Sequence, residues 1–153
     1  MTSIQKVRSI SVWIFIIPFL SVNICLFTIT HLHQILEPGI PINPTFPYLD
    51  GGVSISRTVR NFPMYLLFKP AMFITSYLLI RYWFNTKNII DSFNKDYKNT
   101  KKIVFFGIGS AVLLSIHALF LGVKFEYDIY KLFRRVVMLS FIIFELIAQA
   151  YLI

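Results

Sequence analysis

A chain of 153 residues that is 56% hydrophobic, 17% aromatic and only 14% charged carries too much apolar surface for the interior of one water-soluble domain, where roughly a quarter of residues are charged. The net charge of +8 does not point to nucleic acid, because the basic residues lie in short segments between long apolar runs, as in membrane proteins that keep positive loops on the cytoplasmic side. The single cysteine, Cys25, excludes an intrachain disulfide and gives no reading of redox compartment.

A helix rises about 1.5 Å per residue, so roughly 20 apolar residues cross a hydrocarbon layer of about 30 Å. Four runs reach that length: Ile10–Thr30, Pro63–Trp83, Ile103–Val123 and Phe133–Ile153. They predict an all-α, single-domain, polytopic transmembrane bundle of four helices. The first run follows Lys6 and Arg8, like the basic region of a signal peptide. It is longer than a signal core, and no small-x-small cleavage site follows, so it is expected to stay as an anchor. Pro18 should loosen it, and Asn23 falls roughly 20 Å up from its start.

The stretch 31–62 between the first two runs is a long loop. Pro38, Pro41, Pro44 and Pro47 recur every third residue, the repeat of a polyproline II helix. Such a rod serves either as a docking element or as a stiff spacer. Asp50-Gly51 is a turn signal. Gly51 and Gly52 allow backbone N–H groups to converge on an anion, and Ser54, Ser56, Arg57 and Arg60 add hydroxyl and guanidinium donors. Arginine matches phosphate with two parallel hydrogen bonds. The segment reads either as a cradle for an anionic lipid headgroup or as a turn with arginines resting on the membrane surface. It is not a P-loop, because the Gly-Lys-Ser/Thr ending is missing.

In the second run, Lys69 lies about 9 Å from the loop end, next to Pro70. The following segment, 85–100, is polar and reads as a solvated connection touching anionic lipid. In the third run, Gly107, Ala111, Ser115, Ala118 and Gly122 form a small-residue face of the kind that lets helices approach closely. It predicts contact with a partner membrane protein or a second copy. His117 lies off that face, at about the depth of Asn23 and Lys69. In the fourth run, Arg134, Met138, Phe141, Glu145 and Gln149 share one helix face. Glu145 is near mid-membrane, where an ionisable group costs roughly 2.5–3.5 kcal/mol and therefore finds partners. It reads as a proton-titrating or substrate-contacting carboxylate, or as a polar contact between helices.

Lysine and arginine counts set the orientation. Lys6 and Arg8 precede the first run; Lys87, Lys95, Lys98, Lys101 and Lys102 lie between the second and third; only Arg57 and Arg60 lie in the long loop. The N-terminus and the 85–100 segment are therefore expected in the cytoplasm, and the long loop outside. Lys124, Lys131, Arg134 and Arg135 near an outer face run against the rule.

An apolar first helix, a long outer loop with Pro47-Tyr48-Leu49-Asp50-Gly51 and Ser54-Ile55-Ser56-Arg57, and a Pro63 to Phe68 helix start together resemble the FRAG/DRAM/SFK family of membrane proteins. That family includes autophagy modulators and GPI-anchor lipid-remodelling factors. The resemblance covers roughly residues 10 to 85 and implies membrane lipid handling, with no catalytic residues to carry over.

Several chemistries are excluded. His31 and His33 lack acidic support for a metal, and no Gly-x-Ser-x-Gly elbow, dinucleotide fingerprint or metalloprotease helix occurs. No cofactor or metal is expected. The leading expectation is a non-catalytic protein that binds or regulates membrane lipids. The alternatives are an embedded acyltransferase or hydrolase, with His117 as base supported by Ser54, Ser56 or Asp50, and a small accessory subunit packing through the third helix.

Overall fold

The computed structural model describes residues 3–29, 58–59, 62–93, 98–121 and 127–153. Among these the protein is all-helical, with α1 (Ser3–Phe27), α2 (Met64–Phe93), α3 (Thr100–Phe120) and α4 (Asp128–Leu152). Each helix packs antiparallel on the one before it. Non-neighbouring helices barely touch, so the bundle is a row with α1 and α4 at its flanks.

Two stacked cores hold the row together. At one end, Cys25 of α1 meets Val59, then Met64, Phe68 and Met72 of α2, and Leu114 and Ala118 of α3. The Cys25 thiol points at the Met64 carbonyl, 3.7 Å away. Thr58 and Val59 are both buried here, which pins the chain entering α2 to this end. At the other end, near Lys102, Leu79 and Trp83 of α2 pack with Ile103 and Ala111 of α3 and Ala148 of α4.

Polarity is reversed relative to a water-soluble bundle. On α4, Leu146 is 63% exposed while its neighbour Glu145 is partly covered. Phe15 and Phe105 are each 67% exposed. Surfaces of this kind are expensive in water and neutral in hydrocarbon. Three helices, α1, α3 and α4, are long and apolar enough to cross a membrane. The remaining one, α2, is the longest at 30 residues, but Lys69, Pro70 and Arg81 interrupt its apolar run.

The small-residue face of α3 is taken up within the chain. A Cβ at Gly107 would lie 2.3 Å from Trp83 Cδ2, so the indole rests directly on the α3 backbone. Ser76 of α2 donates to the Ala111 carbonyl at 2.6 Å or pairs with Ser115 Oγ at 2.7 Å, and Ala118 is buried in the Cys25-end core. Four members of the stripe, Gly107, Ala111, Ser115 and Ala118, thus pack against residues of this chain; Gly122 lies outside the described residues.

Three boundaries differ from expectation by five residues or more, and the first is α1, which begins at Ser3, seven residues before Ile10. α2 continues ten residues past Trp83, to Phe93. The segment from Asn85 contains no proline or glycine, Asn85 Nδ2 donates to the Arg81 carbonyl at 2.7 Å, and Ile90 packs on the Lys102-end core. α4 starts at Asp128 rather than Phe133, because Asp128 pairs with Lys131 at 2.8 Å in the first turn and Tyr130 packs edge-on against Phe120.

Candidate functional site

Polar chemistry collects in two layers. The first is at the Cys25 end, where α2, α3 and α4 each contribute a basic side chain. Lys69 Nζ donates to the Leu119 carbonyl at 3.3 Å. That carbonyl belongs to the last turn of α3, where carbonyls lack intrahelical partners and a positive charge is favoured. The bond uses one of three ammonium donors. His117, one turn before the end of α3, feels both the backbone and the guanidinium of Arg134 on α4. His117 Nδ1 and Arg134 Nε are both enclosed and have no hydrogen-bond partner. Arg134 is half-buried, with its guanidinium carbon 5.7 Å from the centre of the Tyr130 ring. That cation–π contact orients the side chain but gives its N–H groups no acceptor. Among the described residues, the acid at this end is Asp128, which Lys131 already engages.

The second layer lies deeper, around Glu145. Ser110 Oγ approaches Glu145 Oε2 at 2.7 Å, Trp83 Nε1 donates to the same oxygen at 3.3 Å, and Gln149 Nε2 donates to Oε1 at 3.0 Å. The donors come from α2, α3 and α4, so the carboxyl group joins three helices. No cation lies within ion-pair distance of it among the described residues.

The predicted residues therefore fall apart into groups. Lys69 and His117 share the Cys25-end layer, while Glu145 is separate. Asn23 donates to the Phe19 carbonyl of its own helix at 2.7 Å. The headgroup candidates Ser54, Ser56, Arg57 and Arg60, and Asp50, lie outside the described residues. Sequence reasoning counted Arg134 as a topology charge and as a member of the Glu145 helix face, without singling it out as a site residue. Its depth, six residues into α4, was the available signal. Trp83 and Ser110 carried no signal as partners of Glu145, because their meeting depends on the register of three helices.

No group of three or more metal-ligating side chains occurs among the described residues. The first layer is chemically suited to binding an anion, and the second to holding a carboxyl group. No family model, curated protein or solved structure matches this chain.

Proposed function

We propose that this chain is a multi-pass integral membrane protein that binds the anionic headgroup of a membrane lipid at the Cys25 end of its bundle, and that it handles or regulates lipid without catalysing a reaction. The observation that carries this reading is the half-buried Arg134 with an unpartnered Nε, set beside the unpartnered Nδ1 of His117. Arg Nε can only donate, and a guanidinium left in a membrane without an acceptor is costly. A phosphate or carboxylate contacting the exposed edge of that guanidinium supplies the missing charge, with Lys69 contributing from α2.

In this reading all four helices cross the bilayer, the N-terminus is cytoplasmic, and the Cys25 end faces outward. Thr58 and Val59 are anchored in the same end, and Arg57 and Arg60 flank them in the sequence.

The test is mass spectrometry of lipids retained after gentle detergent purification. Each hydrogen bond to a charged group is worth about 1.5–3 kcal/mol, so Arg134→Gln should lower the retained acidic lipid about tenfold or more. Arg57→Ala combined with Arg60→Ala should lower it less. An unchanged lipid profile in both variants, each still monodisperse by gel filtration, would end the proposal.

A further inference from the structure

The headgroup reading makes no use of Glu145, and the geometry around it has a distinct meaning. Ser110 Oγ stands between two acceptors, Glu145 Oε2 at 2.7 Å and the Gly107 carbonyl at 2.8 Å. A serine hydroxyl has one proton to donate and lone pairs with which to accept. When it donates to Gly107, the short Glu145 contact is filled by a proton on the carboxyl group; when it donates to Glu145, the Gly107 carbonyl has none to return.

We infer that Glu145 is a reversible proton-binding site inside the membrane, with the Ser110 hydroxyl switching its donated bond between Glu145 and Gly107 as the carboxyl group loses and gains a proton. In the protonated state, the Glu145 Oε2–H donates to Ser110 Oγ, and Ser110 donates to the Gly107 carbonyl. In the ionised state the proton has left to water, and the Ser110 hydroxyl rotates to donate to Oε2. Gln149 Nε2 and Trp83 Nε1 donate to the carboxyl group in both states, since a protonated carboxyl oxygen keeps acceptor capacity. In the ionised state the Gly107 contact holds no proton and lengthens through a small shift of the Ser110 side chain, while the surrounding packing is kept.

The ligand is a proton and not a metal ion. Trp83 and Gln149 aim N–H groups at the carboxyl oxygens, and a bound cation would face those donors head-on. The other titratable and charged groups near this layer are few. Tyr82 of α2 packs edge-on to Trp83 with ring centres 5.1 Å apart. Lys102 of α3 lies 5.3 Å over the Tyr151 ring of α4. α1 reaches the layer through Ile14, and its Lys6 and Arg8 are exposed. None of these forms an ion pair with Glu145. Lys102 is eight residues along α3 from Ser110, about 12 Å, which makes the Lys102 end the near aqueous side for proton exchange.

The experiment uses the full chain reconstituted in phosphatidylcholine vesicles and treated with dicyclohexylcarbodiimide, an apolar reagent that modifies protonated carboxyl groups. Peptide mass spectrometry should find the adduct on Glu145. Its yield should fall about tenfold for each pH unit above a midpoint, following the protonated fraction. Infrared spectra should show a carboxylic-acid carbonyl band that is lost at high pH, shifts in heavy water and is missing in Glu145→Gln. Ser110→Ala should move the midpoint while leaving the fold intact. Two results overturn the inference: no adduct and no acid band at any pH, which makes Glu145 a permanently ionised acceptor, or an adduct and a band that do not change with pH. Neither result bears on lipid retention at Arg134, so this inference and the headgroup proposal fail separately.

Discussion

Glu145 and Arg134 lie on the same helix, 11 residues apart, or about 17 Å along the axis, and α4 treats them in opposite ways. The carboxyl group is met by donors from Trp83, Ser110 and Gln149, whereas the Nε of the guanidinium is met by none. A charge buried with its partners built in needs nothing further to be stable. A charge enclosed without them costs stability until an acceptor meets it. The deep layer is thus internally complete, and under the headgroup proposal the Cys25-end layer is completed by an anion from outside the chain.

The largest expected effect tests what allows the deep layer to close. Gly107→Ala should destabilise the detergent-solubilised protein by about 3 kcal/mol, at the upper end of overpacking costs. The added Cβ would lie within 2.6 Å of three atoms at the base of the Trp83 indole, which is fully buried and cannot retreat. Glu145→Leu should cost about 2 kcal/mol, taking three interhelical or local bonds at about 0.6 kcal/mol each within a membrane. Arg134→Leu should do the reverse in lipid-free detergent, raising stability by about 1 kcal/mol, because an unpaired charge is exchanged for an apolar side chain. Thermal unfolding of the three variants side by side measures this opposition; a loss of stability in Arg134→Leu equal to that in Glu145→Leu would erase the contrast. Smallest is Lys69→Met, which removes the charge at the end of α3 and should cost about 0.5 kcal/mol, read by the same unfolding curves.

The sequence made the helical architecture legible because long apolar runs have few interpretations, and four runs became four helices. The ends were less legible. Asn85 to Phe93 looks like a connection by polarity, but it has no helix breaker, and Ile90 gives it a core contact. Gln149 was readable as a partner of Glu145 from its position one turn away. Trp83 and Ser110 were not, since no local spacing reports which residues of α2 and α3 arrive opposite a residue of α4. Arg134 shows a different failure: it was read as a topology charge and as one member of the Glu145 face, and its enclosure emerged only with the packing of Tyr130 and His117 around it.

The row-like order of the helices bears on how the protein is made. Because each helix packs chiefly on the one synthesised just before it, the contacts that define the fold become available in sequence order. Each new helix leaving the insertion machinery finds its binding surface already waiting. Low separation between contacting segments favours fast assembly. α4 follows α3 and closes the three-helix junction at Glu145, so that carboxyl group acquires its full set of donors only when α4 docks.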